Sequence, residues 1–305
     1  MNKAAEPNAT IDEVARDTGI GKDTLRVWER RYGFPIPHRN ARGERRYPPE
    51  QVSRLRTLSR LLNRGWRPGA VVPLSAEELN ALVEQGASGR EAARPSAVNG
   101  LIENAQRGDS RRLQQSLQDI MQQQGPLQFI LDTAAPLLEQ TGNAWANGQL
   151  SIYMEHLITD HLGRALHQAS ARAAKPSPGP RVVLTTLPGE RHGMGLMMAE
   201  LLLRSEGAET ISLGVETPVD QLLDACRDLQ PQVVALSFSA LQKRTSVMAA
   251  LRELSEKLPS ELVLLAGGEG VSHLRKLPPR VRVVHQMEQL GTELEAIRQA
   301  LEQPS

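Results

Sequence analysis

From residue 181 onward, continuous apolar runs alternate with amphipathic stretches of helical period, and this leaves the chain few folds to choose from. The runs at 182–186, 210–213, 233–238, 262–266 and 282–285 are short and apolar at successive positions. They read as strands buried on both faces. The stretches at 194–205, 219–228, 243–257 and 289–303 each carry an apolar stripe and read as helices. Strand–helix alternation of this kind specifies a doubly wound parallel sheet with helices on both faces. Its ligand crevice lies outside the carboxyl ends of the strands, where the strand order reverses.

Three strand ends carry chemistry. The first strand runs into Pro188-Gly189-Glu190-Arg191-His192-Gly193-Met194-Gly195. His192 offers a neutral imidazole nitrogen to a metal. Glu190, two residues earlier, is placed to accept the other ring N–H and fix the tautomer. Gly193 and Gly195 leave room for a bulky group near the backbone. The third strand ends in Ser237-Phe238-Ser239-Ala240-Leu241, and the fourth in Gly267-Gly268-Glu269-Gly270. The first, third and fourth strands of such a sheet lie side by side, so these loops face one crevice. Hydroxyls, a glycine pair and a histidine loop there suit a long ligand tail lying against bare backbone.

The charge is polarised. Between Lys22 and Arg67 there are thirteen Lys or Arg against four Asp or Glu, while the whole chain has a net charge of only +1. A basic head on a mildly acidic body points to a nucleic-acid-binding segment joined to something else. Within the head, Thr10 and Glu13 form a capping box for a short helix to about Thr18. Gly19-Ile20-Gly21 makes a tight turn, and a second helix runs over 22–32 with Leu25 and Trp28 facing inward. Lys22, Arg26, Arg30 and Arg31 cover its other side. Arg39 to Tyr47, with Gly43 between basic residues, reads as a β-hairpin wing. Further helices follow at 50–63 and 75–83. Two helices across a glycine turn, the second basic, form a helix-turn-helix pattern.

The segments 11–15, 25–33 and 43–47 together resemble the DNA-binding domain of MerR-type transcription regulators, over roughly residues 9–83. That resemblance implies DNA contacts by Lys22, Arg26, Arg30, Arg31, Tyr32, Arg42, Arg45 and Arg46, and dimeric binding to a double-stranded operator. The long coiled-coil dimerisation helix of the metal-sensing members is missing, so oligomerisation has to come from elsewhere.

Residues 85–97 are rich in Gly, Ala, Ser and Arg and read as a tether. Helical periodicity then continues over 98–106, 110–123, 126–147 and 151–173, which predicts a four-helix bundle. Near its end Trp145 precedes the helix-stopping Asn147-Gly148, and Glu155-His156 lie in the first turns of the next helix. Taken alone, Trp145 reads as bundle core and Glu155 as a charge favoured by the helix macrodipole.

Glu190-x-His192-x-x-Gly195, Ser239-x-Leu241 and Gly267-Gly268 resemble the cobalamin-binding module of corrinoid proteins. The resemblance implies His192 as lower axial ligand of cobalt and a cofactor tail in the crevice lined by the other two motifs. The usual acid is aspartate, and Glu190 departs from it. With a bundle bearing Trp145-x9-Glu155-His156, nearly the whole chain resembles the light-responsive, adenosylcobalamin-binding MerR-type repressors of the CarH/LitR kind. This implies Trp145 over the upper cobalt face, with Glu155 and His156 helping to hold the adenosyl group. It also implies repression controlled through a homo-oligomer, dimer or tetramer. The histidine that takes the upper cobalt position in illuminated members is Ala146 here.

The expected fold class is therefore multi-domain, α plus α/β. A winged helix-turn-helix head spans 1–84, a linker 85–97 and a helical bundle 98–174. A flavodoxin-like, Rossmann-like cobalamin-binding domain spans 175–305. A single cysteine, Cys226, excludes an internal disulfide and a multi-cysteine metal cluster. No apolar run reaches eighteen residues and no secretory pattern opens the chain, which predicts a cytoplasmic protein with no membrane partner. Two other readings stand beside the photoreceptor. One is a light-independent MerR-type regulator that senses cobalamin or another ligand. The other is a corrinoid methyltransferase module, which leaves the basic head without a role and no room for a catalytic domain, so no enzyme is expected.

Overall fold

The computed structural model describes residues 8–302 apart from 41, 64–65, 67, 86–95, 147, 174–178, 240–241, 243, 273 and 275. Most of the expected tether and the Leu241 position lie outside the described residues. The chain divides into two compact units, 1–108 with 137–158, and 109–136 with 159–305. The helical stretch expected as one bundle domain is thus shared between the two units.

The first unit begins with a strand of two residues, β1 (Ala9–Thr10), that the sequence pattern is too short to reveal. Helix α1 (Ile11–Thr18) starts at a capping box. The Thr10 hydroxyl accepts the Glu13 N–H at 3.2 Å, and the Glu13 carboxylate accepts the Thr10 N–H at 2.6 Å. Those bonds hold the Glu13 carboxyl below its ordinary range. Gly19 closes α1 with φ +69°, and α2 (Lys22–Tyr32) follows. The wing is β2 (His38–Arg39) and β3 (Arg45–Tyr47), in a small antiparallel sheet of order β1-β3-β2.

Helix α3 (Pro49–Asn63) supplies Leu55, Leu58 and Leu61 to the core beside Val14, Leu25, Trp28 and Tyr47. Each such side chain contributes about 1.5–3 kcal/mol by leaving water. A short α4 (Pro68–Val71), which the periodicity does not predict, precedes α5 (Ala76–Gln85). Arg54 holds this corner together. Its guanidinium donates to the carbonyls of Val72 and Leu74 and stacks 4.1 Å over Phe34. Helix α6 (Ser96–Gln106) comes next.

Helix α7 (Ser110–Phe129) is broken at Gly125, whose φ of +74° and ψ of +170° interrupt the helix just before Pro126. The expected boundary between 110–123 and 126–147 falls here, since proline cannot donate and the residue before it avoids helical angles. A π-turn (Ile130–Ala134) joins it to α8 (Ala135–Ala146), and α9 (Ile152–Ala173) follows. In the second unit His161 of α9 bridges to α7. Its ring nitrogens lie 2.8 Å from the Ser110 hydroxyl and 2.7 Å from the Gln114 amide oxygen.

The sheet of the second unit is β4 (Arg181–Thr185), β5 (Glu209–Ser212), β6 (Val233–Ser237), β7 (Val263–Gly267) and β8 (Val281–Val284). It is fully parallel with order β5-β4-β6-β7-β8, so β4, β6 and β7 are neighbours as the doubly wound reading requires. The connecting helices are α10 (Met194–Ser205), α11 (Val219–Leu229), α12 (Arg244–Lys257), a short α13 (Glu269–Ser272) and α14 (Gln289–Glu302). Strand bounds differ from expectation by about one residue because pairing, not hydropathy, sets where a ladder ends. Val183, Val234, Leu236, Leu264 and Ala266 form one core with Leu222, Leu251 and Leu254 of the helices, and Cys226 is buried among them. Burial pushes that thiol up to about 11, which keeps it unreactive.

Candidate functional site

The loop after β4 is built around one carboxylate. Glu190 is 1% exposed, and both of its oxygens are saturated. Oε1 accepts the His192 N–H at 2.9 Å and lies 2.7 Å from His192 Nδ1. Oε2 accepts the Ser239 N–H at 2.8 Å and its hydroxyl at 2.5 Å. Burial by itself would raise this carboxyl, but the bonds from His192 and Ser239 outweigh it and hold it down at about 2. An ionised Glu190 has no proton to give, so Nδ1 is the donor and Nε2 is the ring nitrogen left to face a metal.

The His192 side chain is 59% exposed, so Nε2 is open to a metal. The longer reach of glutamate over aspartate therefore costs nothing in geometry. It lets one carboxylate clamp two strand ends, His192 after β4 and Ser239 after β6. The Ser239 link escapes sequence reasoning because its 49-residue separation is closed only by β4–β6 pairing. Thr186 supports the loop from beneath. Its hydroxyl donates to the Glu190 carbonyl at 2.6 Å and accepts the Glu216 N–H at 2.9 Å.

An open cleft of about 900 Å³, solvent at its mouth included, runs along the carboxyl ends of the strands. Gly195, Ser237, Gly267 and Gly268 line it with Leu184 and Val284. A Cβ at Gly195 would stand 3.0 Å from the Ser237 hydroxyl. One at Gly268 would lie 2.3 Å from the Phe238 carbonyl oxygen, and Gly268 has φ +96°, so no other residue fits there. Gly267 is different. A Cβ there meets nothing closer than 3.7 Å, so this glycine only keeps the cleft wall low.

The donor set suits a metal that brings its own ring. Among the described residues no group of three or more His, Cys, Asp or Glu is gathered for a metal ion. One oriented imidazole beside a mostly apolar cleft fits a corrin cobalt with four equatorial nitrogens already in place.

The remaining cofactor candidates belong to the first unit. Trp145 is half-buried, its indole N–H is buried without a hydrogen-bond partner among the described residues, and the Arg56 guanidinium lies 5.9 Å from its ring centroid. Glu155 and His156 are paired with each other, Oε2 to Nδ1 at 2.5 Å. Ala146 is 1% exposed.

On the head, Arg26, Arg30 and Arg31 are exposed on α2, and Arg42 is exposed at the wing tip. Lys22 pairs with Asp12, Arg26 with Asp23 at 2.9 Å, and Arg46 with Glu44 at 3.3 Å. Arg31 lies 5.3 Å over the ring of the partly buried Tyr32. Arg45 binds Glu29 at 2.8 Å with both side chains about one quarter exposed, and so ties wing to helix. Between them runs a groove of about 950 Å³ lined by Asp23, Arg26, Val27, Glu29, Arg30 and Arg45. Val27, 40% exposed, carries no signal in the sequence, where its neighbours Arg26 and Trp28 dominate the pattern.

Residues 9–76 match the MerR HTH family regulatory proteins. Residues 97–169 and 180–288 each match a B12 binding domain. Over 270 residues the chain is 32% identical to the HTH-type transcriptional repressor CarH of Myxococcus xanthus, covering 87% of this chain and 90% of that protein. It is 30% identical over 275 residues to the repressor CarA of the same organism, covering 88% and 89%. In fold it is similar to the Methanosarcina barkeri monomethylamine corrinoid protein, with a TM-score of 0.50, 14% identity, and 67% of this chain against 100% of that one. Joined to a MerR head by one continuous stretch of similarity, the cobalamin-binding domains give the lineage: the chain belongs to the CarH family of HTH-type transcriptional repressors.

Proposed function

We propose that this protein is a DNA-binding repressor that uses adenosylcobalamin as a light-sensing chromophore, with the cofactor controlling oligomerisation and operator binding. The observation that carries the reading is the Glu190 clamp, which presents His192 with Nδ1 occupied and Nε2 open. When bound, adenosylcobalamin supplies a cobalt–carbon bond that light breaks. His192 would hold the cobalt with Glu190 fixing its imidazole, and Ser239 and the glycines of the cleft would receive the rest of the cofactor. Trp145, Glu155 and His156 would be further cofactor contacts, lying in the helical segment that matches a B12 binding domain. On DNA, Arg26, Arg30, Arg31 and Arg42 neutralise phosphates, while Arg45 and Arg46 set the wing. Val27 faces the groove as an apolar contact of the kind that reads a thymine methyl. A repressor role leaves no catalytic step for these residues.

The test is size-exclusion chromatography with absorbance detection on protein loaded with adenosylcobalamin in darkness and rerun after illumination. A dark oligomer that carries the cofactor and dissociates in light is the expected result. An oligomer unchanged by light favours the second reading, a cobalamin-linked regulator without photochemistry. The buried Ala146 favours it, because it offers no ligand beside Trp145. His192→Ala is expected to weaken cobalamin binding at least about tenfold in an absorbance titration. Equal affinity would sink the ligation assignment.

A further inference from the structure

Arg56 joins the DNA-reading head to the helical B12-binding segment within the first unit. From α3, its Nε and Nη2 lie 2.9 and 2.8 Å from the Asp17 carboxylate of α1. Its Cζ stands 5.9 Å from the centre of the Trp145 ring on α8, and a Cβ on Gly148 would come 3.5 Å from its Nη1. The ion pair is largely sheltered, with side chains 23% and 19% exposed. A guanidinium is planar, so it can fork onto a carboxylate and lie over an indole at once. The chain Asp17–Arg56–Trp145 therefore ties α1, which packs on both α2 and α3, to a residue inside the matched B12-binding segment.

We propose that Arg56 and the bound corrinoid compete for Trp145, so that loading the cofactor frees the DNA-reading head from the helical segment. This rests on the reading that Trp145 faces the cofactor. An indole face covered by a guanidinium is closed to a ligand, and a ligand that packs on that face displaces Arg56. Asp17 remains as the partner of the displaced guanidinium, so the head keeps its own core when the tie to Trp145 opens. Coupling of this kind is reciprocal: whatever loosens Arg56 from Trp145 favours the cofactor, and the cofactor favours the free head.

Arg56→Lys in the full-length chain is the first test. Lysine keeps a charge for Asp17 but cannot fork and stack together. Three readouts are taken in darkness: cobalamin affinity by absorbance titration, operator affinity with and without cobalamin, and hydrogen exchange over 145–158. The expected result is cobalamin binding tighter by about two- to fivefold, the size of one cation–π contact. Operator affinity without cobalamin should rise toward the loaded value, and exchange over 145–158 should quicken. Arg56→Gln, which retains a donor for Asp17, should shift all three in the same direction and serves if the lysine variant melts the head. Unchanged or weaker cobalamin binding in both variants, with the wild type still coupled, overturns the role of Arg56 alone. A wild-type chain whose operator affinity ignores cobalamin overturns this inference together with the regulator reading.

Discussion

Glu190 spends its whole hydrogen-bonding capacity on two neighbours, and its replacement by glutamine should show how much the clamp contributes. An amide keeps one acceptor and turns the other oxygen into a donor, which then faces either the Ser239 or the His192 donors. Glu190→Gln is expected to lower stability by about 1–3 kcal/mol, read from thermal or urea unfolding. It should also weaken cobalamin binding by about 10–100-fold, because His192 loses the partner that fixes its tautomer. Full stability with full affinity would show that the clamp is ornamental. The sequence made Glu190 and His192 visible as a pair two residues apart in a glycine loop. It did not reveal Ser239 as the third member, since nothing local connects residues on different strands.

Two elements of the second unit turn on single residues that answer backbone geometry. Gly268 sits where β7 gives way to α13, and a methyl group there would both collide with the Phe238 carbonyl and strain φ. Gly268→Ala is expected to cost about 2–4 kcal/mol and to shut part of the cleft, seen as a lower melting temperature and slower cobalamin uptake. Arg280, before β8, donates to the carbonyls of Ser255, Leu258, Pro259 and Leu262 and so closes the end of α12 onto the sheet. Arg280→Met should lose about 2–3 kcal/mol while leaving cobalamin affinity intact.

His161, between α7 and α9, is held neutral chiefly by burial, which lowers its pKa, with Arg164 acting the same way and Asp160 opposing. A histidine whose folded pKa lies below its unfolded one contributes stability that is complete above about pH 6.5 and lost as pH falls through the folded value. Melting curves between pH 7.5 and 5.5 should therefore fall more steeply for the wild type than for His161→Gln. Parallel curves would remove His161 from the account. The helical periods of α7 and α9 are plain in the sequence. That His161 would be an interhelical tie rather than a ligand is not, because its partners come from another helix.

For the whole molecule, the polarised charge predicts how the repressor meets DNA. Each phosphate neutralised by the head adds about −0.9 to the slope of log affinity against log salt. Arg30→Ala, which removes an exposed charge of α2, should reduce that slope by about one and weaken operator binding alike for all sequences. Val27→Ala should leave the slope unchanged and relax discrimination at one base pair by about 1–3 kcal/mol. Fluorescence anisotropy across a salt series separates the two. Among the described residues no helix is long and apolar enough to cross a membrane.

The winged head, the parallel sheet and the histidine loop can be read from residue order alone, because each is written locally. A capping box, a glycine turn and a basic helix need only neighbouring residues, and buried parallel strands must be apolar throughout. That Glu190 joins Ser239 to His192, that Gly268 rather than Gly267 is irreplaceable, and that Arg56 stands over Trp145 emerge from the folded packing. Such contacts depend on strand order and on which helices share a compact unit. Those are set by the summed packing of distant residues, which no local pattern carries.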